Sequence, residues 1–507
     1  MKRVTLTAKK YSIENIYKFS KVQYHISLSK ELKNNIIESR QFLNDKINED
    51  KSIYGINTGF GKLSSIKINQ KDINKLQENL ILSHAVGVGD NIPNEIVRII
   101  ILLKVLSFTK GNSGIRIEVV DLLLNLLNNN CLPLIPLKGS VGASGDLAPL
   151  AHMSLPLIGL GEVSFKNQIM SSSAAFEELN ISSIKLEAKE GLALINGTQF
   201  STAYGVYSID KLIKLFKLSD ISASMSIEAL KCSKKPFFDY VNLVKPYKGQ
   251  MDTCTNIINL LENSEIMDEH KNCTRVQDMY SIRCIPQVHG SARDLLYFSK
   301  KQLNIEINSV SDNPLVFINQ NQIVSAGQFH AEAVAHSLDV AAISIASLSN
   351  LSERRIFSLL KGDFGLPEFL IKEPGLNSGF MMLQVTAAAL ASENKLLSNP
   401  SSSDSIPTCS DQEDYVSMAP YSGRKLLDAV NNLQMILAIE LLCACQGLDF
   451  RFGLKPSKIL NILHELIREN IKHLGQDRLL KNDFNIMMEL INNNILFDRI
   501  KKEITLI

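Results

Sequence analysis

The chain has 507 residues, of which 45% are hydrophobic and 21% are charged, so its length allows a large core and about two to four domains. The 54 Lys and Arg residues nearly balance the 52 Asp and Glu residues, which leaves a formal net charge of +2. Proteins that bind nucleic acid usually have a basic excess, so this balance argues against a nucleic-acid partner.

The N-terminal segment MKRVTLTAKKYSI is charged and lacks the apolar stretch of a secretory signal. No run of about 18 residues is apolar throughout, so we expect no membrane span. The cysteines show no C-x-x-C pair and no His/Cys spacing typical of zinc, so we predict no metal site. The closest pair, Cys443 and Cys445, lies in an apolar segment, which indicates buried free thiols. These features predict a soluble cytoplasmic protein.

Helical periodicity dominates the chain after its first ninety residues. The segment PNEIVRIIILLKVLSFTKG has proline early and glycine late, as helices prefer. In GRKLLDAVNNLQMILAIELLCACQG, leucine and valine recur along one face for several turns. Strand signals are sparse, with short ribbons predicted at KRVTLT and GEVSFKNQIMS. The predicted helices cover residues 93–111, 117–130, 331–355, 423–447, 456–470 and 483–494.

These patterns predict a mainly α fold built on a long central helix bundle. We expect a smaller, loop-rich N-terminal portion over residues 1–200 and the long-helix bundle with C-terminal helices over residues 201–507. The two portions could also form one continuous structural unit. Long apolar helices often bury one face in subunit contacts, so an oligomer is expected.

The stretch GSVGASGDLAPLAH, residues 139–152, places Ala143, Ser144 and Gly145 in a row. If the backbone bends sharply there, the Gly145 amide nitrogen can attack the carbonyl carbon of Ala143 and close a five-membered ring. Loss of that oxygen as water, and of the Ser144 hydroxyl as a second water, would leave an imidazolone with an exocyclic methylene. Glycine tolerates the strained dihedral angles of such a turn. The alternative is a simple turn before a helix capped by Asp146.

This stretch resembles the signature of the aromatic amino acid ammonia-lyase family, whose members form a methylidene-imidazolone from Ala-Ser-Gly. The resemblance implies a mainly helical fold of the ammonia-lyase/fumarase-like superfamily. It also implies a homotetramer in which several subunits build each active site, an amino acid as small-molecule substrate, and no external cofactor. Further segments that resemble the family, in its order, are YGINTGFGKL (54–63), LSHAVGVG (82–89), KEGLALINGTQ (189–199), NCTRVQDMYSIRCIPQVHG (272–290), VSDNPLVF (310–317), GQFHAEAVA (327–335), NSGFMMLQVTAAALASENK (377–395) and QEDYVSMAP (412–420).

The reaction that this resemblance implies removes a weakly acidic β-proton and expels ammonia, so it needs a base and an electron sink. The resemblance assigns the sink to the ring formed from Ala143, Ser144 and Gly145 and the base to Tyr54. A phenol has a pKa of about 10, so we expect hydrogen-bond donors or positive charge to stabilise the Tyr54 phenolate.

The resemblance also assigns residues that bind the substrate. Arg283 matches a carboxylate clamp, since a guanidinium donates two parallel hydrogen bonds to a carboxylate. Phe329 matches an aromatic side chain packed near the ring. Three polar residues match positions that hold the ring and the substrate: Asn196, Gln277 and Tyr280. Tyr280 is also assigned to the catalytic group.

Two positions favour L-histidine as the substrate. The pair Ser83-His84 falls where the family varies with its substrate, and Ser-His resembles the histidine ammonia-lyases, which release ammonia and leave trans-urocanate. Glu413 is the carboxylate that histidine ammonia-lyases carry in their catalytic group, where phenylalanine lyases have Gln. A buried imidazole needs hydrogen-bond partners, and a histidine and a carboxylate can supply them.

The chain departs from the usual histidine-lyase pattern at three places. Tyr415 and Asn399 stand where that pattern has His, and SSDS at 402–405 replaces SVDS. The alternatives are therefore a tyrosine or phenylalanine ammonia-lyase, or a 2,3-aminomutase that returns the amine to the β-carbon. An alternative of another class is a catalytically silent homologue that serves as a scaffold, although the intact catalytic residues argue against it.

Overall fold

A computed structural model describes residues 2–47, 49, 53–269 and 275–507. The chain separates into two compact units. The first unit comprises Met1–Asp210, Ser299–Asp339 and Pro400–Lys425, and the second comprises Lys211–Phe298, Val340–Asn399 and Leu426–Ile507. The division at residue 200 that the sequence suggests stays a prediction.

Helices form most of the described chain, as predicted. Those that lie wholly in the first unit are α1 (Ile13–Phe19), α2 (Lys30–Ile47), α3 (Ile73–His84), α4 (Asn94–Phe108), α5 (Ile117–Asn128), α6 (Leu147–Ser154), α7 (Ser172–Leu179) and α8 (Glu190–Ile195). Four long helices contribute residues to both units: α9 (Gln199–Ala229), α14 (Ile285–Glu306), α15 (Glu332–Leu360) and α17 (Ala419–Asp449).

The second unit contains further helices, several of them short. They are α10 (Asp239–Asn242), α11 (Lys248–Leu260), α12 (Glu265–Glu269), α13 (Tyr280–Arg283), α16 (Met381–Leu397), α18 (Lys458–Asn470), α19 (Leu480–Asn492) and α20 (Ile495–Ile500). The predicted helices at 93–111, 117–130, 331–355, 423–447, 456–470 and 483–494 are confirmed as α4, α5, α15, α17, α18 and α19.

Short strands of the first unit form small separate sheets. The predicted ribbon at GEVSFKNQIMS is confirmed as an antiparallel pair, and KRVTLT forms a strand that runs parallel to a second one. The pairs are β1 (Lys2–Leu6) with β2 (Tyr24–Leu28), β3 (Val88–Asn91) with β5 (Pro136–Lys138), β4 (Leu132–Pro133) with β6 (Glu162–Phe165), β6 with β7 (Gln168–Ser171), and β8 (Leu315–Phe317) with β9 (Gln322–Val324).

Helix α4 is deeply buried in the first unit. Each of its residues from Ile96 to Phe108 is buried, and α5 packs against it. Most of these side chains are apolar, and burial of apolar surface stabilises a fold by about 25 cal/mol per Å². Two of the buried residues, Arg98 and Lys104, are cationic and therefore need hydrogen-bond acceptors within the core.

A buried ionic cluster joins three long helices within the second unit. The Arg355 guanidinium donates to both carboxylate oxygens of Glu440, at 2.5 and 2.9 Å, and the hydroxyls of Ser226 and Ser352 donate to the same carboxylate. Burial alone would raise the pKa of Glu440, but Arg355 and the serine hydroxyls hold that pKa below its usual value. The short serine side chains of α9 and α15 are thus partners of a buried charge on α17.

Two helices, α15 and α17, have the length and composition to cross a membrane, with mean hydropathy of 1.3 and 1.5 over their most apolar stretch. Within those stretches, 67% and 78% of the residues are buried inside the protein. Buried core helices have this same composition, so neither helix indicates a membrane span. Cys443 and Cys445 lie on α17 as buried free thiols, as predicted.

Candidate active site

A cavity of about 1140 Å³ lies within the first unit. Its walls come from the loop after residue 53, the end of α3, the Ala-Ser-Gly turn, the end of α8, and the segments 313–330 and 409–415. These segments are far apart in the chain, and the fold brings most of the predicted site residues together here. The predicted residues that line the cavity are Tyr54, Ser83, His84, Ala143, Ser144, Asn196, Phe329 and Glu413.

The Ala-Ser-Gly turn lies directly against the backbone that follows α8. Gly145 pairs with Gly197, and the Asp146 amide donates to the Gly197 carbonyl at 2.7 Å. Gly145 has a φ of +76°, and a Cβ at this position would lie 2.2 Å from the Gly197 oxygen. Only glycine fits so close an approach. The Asn196 side-chain amide donates to the Ser144 carbonyl at 3.0 Å and so holds the middle residue of the tripeptide as well.

Asp146 caps a different helix from the one that the local sequence suggests. It precedes α6, yet its side chain makes no capping hydrogen bond there. Its carboxylate instead accepts from the amide and the hydroxyl of Ser201, at 2.9 and 2.7 Å, in the first turn of α9. Burial raises the pKa of Asp146 to about 6, against the effect of these hydrogen bonds. The expected cap of α6 is therefore wrong, because the first turn of α9 supplies the donors that the buried carboxylate accepts.

Glu413 contacts the tripeptide directly. The Ser144 hydroxyl donates to one carboxylate oxygen at 2.8 Å, and the Thr408 hydroxyl donates to the other at 2.6 Å. Between Thr408 and Glu413 the backbone turns sharply, with three consecutive residues, Cys409 to Asp411, in the left-handed region. Such conformations are rare for residues other than glycine and concentrate at functional sites.

Tyr54 lies in the cavity wall with its hydroxyl near the Gly61 amide, at 3.4 Å. Burial raises the pKa of Tyr54, the contact with Gly61 lowers it, and the nearby Glu413 and Cys409 raise it further. A phenolate at Tyr54 would need hydrogen-bond donors or positive charge beside it. The Gly61 amide lies at a distance of 3.4 Å from the Tyr54 hydroxyl, and the described residues that line the cavity include no Lys or Arg. The first unit by itself thus favours the neutral phenol.

Ser83 and His84 end helix α3 at the cavity wall. The Nδ1 atom of His84 lies 2.8 Å from the Leu80 carbonyl and 3.0 Å from the Ser83 hydroxyl. Because a carbonyl can only accept, Nδ1 carries the proton of the neutral ring, which leaves Nε2 as an acceptor. The cavity therefore has an imidazole acceptor at this wall.

The cavity also contains residues that the sequence analysis did not select. His330 follows Phe329 in the GQFHAEAVA segment, and its ring stacks on Tyr415 with the ring centroids 5.8 Å apart. Its Nε2 atom lies 3.3 Å from the Tyr415 carbonyl. The signal that could have identified this pair is Tyr415 itself, since the chain departs from the histidine-lyase pattern there.

Three predicted residues, Gln277, Tyr280 and Arg283, belong to the second unit and do not line this cavity. The Arg283 guanidinium lies over the Tyr280 ring, 4.4 Å from its centroid. The Nε atom of Arg283 is buried and has no hydrogen-bond partner, and Tyr280 is 68% exposed. A buried donor without an acceptor is uncommon in folded proteins. Arg283 thus retains an unused donor.

The family model for aromatic amino acid lyases matches residues 11–469 of this chain. The chain is 42% identical to a histidine ammonia-lyase of Caldanaerobacter subterraneus over 99% of each chain. It is also similar to the crystal structure of histidine ammonia-lyase from Trypanosoma cruzi, with a TM-score of 0.92, 37% identity and coverage of 99% of this chain and 96% of the other. Tyrosine aminomutase from Streptomyces globisporus is similar as well, with a TM-score of 0.93, 31% identity and full coverage of both chains.

The electrostatic effect of Glu413 on Tyr54 predicts how the phenol titrates. A nearby carboxylate disfavours the phenolate, so Glu413→Gln should lower the pKa of Tyr54 and move its ionisation to lower pH. The titration can be followed as the ultraviolet difference between each protein and its Tyr54→Phe counterpart. Asp414→Asn is the control, since Asp414 also lines the cavity but is not among the groups that shift Tyr54. An unchanged or higher pKa in Glu413→Gln would contradict this arrangement.

Proposed function

The chain belongs to the aromatic amino acid lyase family, and from that premise we propose that it is a histidine ammonia-lyase, a carbon–nitrogen lyase that converts L-histidine to trans-urocanate and ammonia. The observation that carries the proposal is the position of Ser83, His84 and Glu413 in the same cavity as the Ala-Ser-Gly turn. Ser83-His84 and Glu413 are the features that resemble the histidine enzymes in particular. The Ala-Ser-Gly turn is the feature of the whole family.

The tripeptide fits the methylidene-imidazolone that the family generally uses. Ring closure requires the backbone to bend tightly at Gly145, and the left-handed φ with the close approach of Gly197 provides such a bend. The side-chain oxygen of Asn196 is buried beside the turn and has no hydrogen-bond partner. It therefore remains as an acceptor for the cyclised form of the tripeptide. When formed, the group supplies an electrophilic methylene that no standard side chain offers.

Tyr54 is the proposed base for the β-proton of the substrate, which its phenolate oxygen would accept. Phenolate formation is opposed here by burial and by Glu413, so a cation must enter the site before Tyr54 can act near neutral pH. The substrate ammonium group is one such cation. A second such cation is the guanidinium of an arginine that does not line the cavity.

Arg283 is the proposed partner of the substrate carboxylate, together with Tyr280 and Gln277. Its buried, unpaired Nε atom and its planar fork suit a carboxylate. These residues do not line the cavity of their own chain's first unit. We infer that a homotetramer brings the second unit of another copy to each cavity, which supplies both the clamp and the missing positive charge.

The imidazole of histidine suits the polar wall of the cavity. Glu413 and Asp414 line it, and the free acceptor of His84 can receive an N–H from the substrate ring. A phenyl ring would leave these groups unpaired, and an unpaired buried polar group costs about 1–3 kcal/mol. The similarity to a tyrosine aminomutase keeps the phenol substrates and the amine shift as the competing proposal. A cytoplasmic location is also proposed, in keeping with the soluble character of the family.

Turnover and mass together test the proposal. We expect purified protein to release urocanate from L-histidine, measured by ultraviolet absorbance, and its intact mass to lie two waters below the sequence mass. Ser144→Ala cannot lose the second water and should lose turnover, because it lacks the hydroxyl that leaves to form the methylene. Ser173→Ala, at an exposed serine, should behave as wild type. Active protein with the unmodified mass would overturn the prosthetic-group proposal, and coumarate, cinnamate or a β-amino acid as the main product would overturn the substrate.

Selectivity should depend on the end of α3. The double variant Ser83→Phe, His84→Leu should lower kcat/KM for L-histidine by at least about tenfold, because the imidazole loses its partners. Leu82→Ala is the control, since Leu82 is exposed on the same helix and does not line the cavity. Comparison of kcat/KM for histidine, phenylalanine and tyrosine measures the change. An unchanged histidine preference would remove this pair from substrate selection.

Shared sites predict complementation between two inactive variants. Tyr54→Phe and Arg283→Met, each inactive alone, should regain part of the wild-type activity when co-expressed with different tags and purified as mixed oligomers. Some sites would then combine an intact Tyr54 with an intact Arg283. The control pairs Tyr54→Phe with Ser144→Ala, whose residues line the same cavity of one chain, and it should regain none. Equal behaviour of the two mixtures would contradict the sharing of sites.

A further inference from the structure

Lys104 is a buried amine that the proposed reaction does not use. It lies on α4, where every neighbour from Ile96 to Phe108 is buried, and its own exposed fraction is 1%. An amine in such a place destabilises the fold unless its donors find acceptors.

The acceptors of Lys104 belong to the turn between α8 and α9. The amine donates to the backbone carbonyl of Asn196 at 2.7 Å and to the side-chain carbonyl of Gln199 at 3.1 Å. Burial lowers the pKa of Lys104 to about 7, although Asp312 and Asp146 act to raise it. An amine has N–H donors in both protonation states, so both contacts are available on either side of that value.

The turn that Lys104 holds is the backbone against which the tripeptide lies. Asn196 donates through its side chain to the Ser144 carbonyl, and Gly197 pairs with Gly145 and accepts from the Asp146 amide. A continuous set of hydrogen bonds therefore runs from α4, through the Asn196 residue, to the middle of the tripeptide. Lys104 itself donates to the turn and not to the tripeptide.

We propose that Lys104 is a positioning residue for closure of the Ala143-Ser144-Gly145 ring, acting through the Asn196 carbonyl. The inference rests on the proposed function for the existence of the ring. Closure forms a bond from the Gly145 nitrogen to the Ala143 carbonyl carbon, whose oxygen leaves as water with the amide hydrogens of Gly145 and Ser144, so that a C=N bond forms between that carbon and the Ser144 nitrogen. The Ser144 hydroxyl then leaves with the hydrogen of its Cα as a second water, so no oxidant or reductant is needed.

The physical reason is the unpaired carbonyl that loss of Lys104 would leave. In a dry core the Asn196 carbonyl would then have no hydrogen-bond donor, so the turn would shift toward a different donor. Its side-chain amide would move with it, and the Ser144 carbonyl would lose the contact that fixes the bend. Ring closure requires a narrow range of backbone geometry, so it should slow, whereas a chain that has closed its ring should react normally.

The test is the rate of dehydration in Lys104→Met, which removes the donors and keeps the length of the side chain. We expect the fraction of chains that lack two waters, followed by intact mass after synthesis, to grow at least about tenfold more slowly than in wild type. Turnover per dehydrated chain should stay within about twofold of wild type. Lys104→Arg, which retains N–H donors, should restore dehydration, and Lys104→Leu, which also lacks them, is used where the methionine variant is insoluble.

Arg98→Met is the matched control. Arg98 is another buried cation of α4, but its guanidinium donates to the carbonyls of Ser20 and Leu127 and to the Asn130 side chain. This variant should lower the melting temperature without slowing dehydration. Equal slowing in both variants, or dehydration of Lys104→Met at the wild-type rate, would overturn the positioning role alone. Wild-type protein that keeps both waters would overturn the prosthetic group and this inference together.

Discussion

The close backbone contact between Gly145 and Gly197 is the constraint on which the candidate site depends. With the Gly197 carbonyl oxygen only 2.2 Å from where a Cβ of Gly145 would lie, the two chain segments approach too closely for any side chain at residue 145. The tripeptide therefore lies on the turn between α8 and α9, and groups that fix this turn also fix the tripeptide. Asn196 contacts Ser144 from the turn, and Lys104 holds the turn from within the core.

The electrostatics of the cavity are unfavourable for a Tyr54 phenolate. Its described lining residues include two carboxylates and no Lys or Arg, and the phenol of Tyr54 is held in its neutral form by burial and by Glu413. A base of this kind needs a cation close by, and a carboxylate substrate needs a cationic partner. The unused donor of Arg283 in the second unit matches both needs. The proposed assembly of several copies would supply this cation from another subunit, and it is also what the family resemblance implies.

One of the departures from the histidine-lyase pattern, Tyr415, lies in the candidate site. Tyr415 lines the cavity and stacks on His330, while Ser83, His84 and Glu413, which favour an imidazole substrate, line the same cavity. Tyr415 therefore takes part in an aromatic contact, while the residues that we propose as partners of the substrate ring are present. This arrangement agrees with the proposed histidine substrate and with a cavity wall whose shape differs from that of the usual histidine-lyase pattern.

Local patterns in the sequence determined the long helices and the chemistry of the tripeptide. Apolar periodicity over several turns identified α17, because burial of one face requires it. Proline near its start and glycine near its end identified α4, and the resemblance of whole motifs identified the family. Local patterns failed for Asp146, which looked like the cap of α6 but accepts from Ser201 of α9. Only the tertiary structure decided that Ser144 contacts Glu413, 269 residues away, and that Lys104 contacts Asn196. These contacts follow from the packing of distant segments, where a buried polar group pairs with whichever partner the fold brings within reach, and no spacing along the chain encodes that choice.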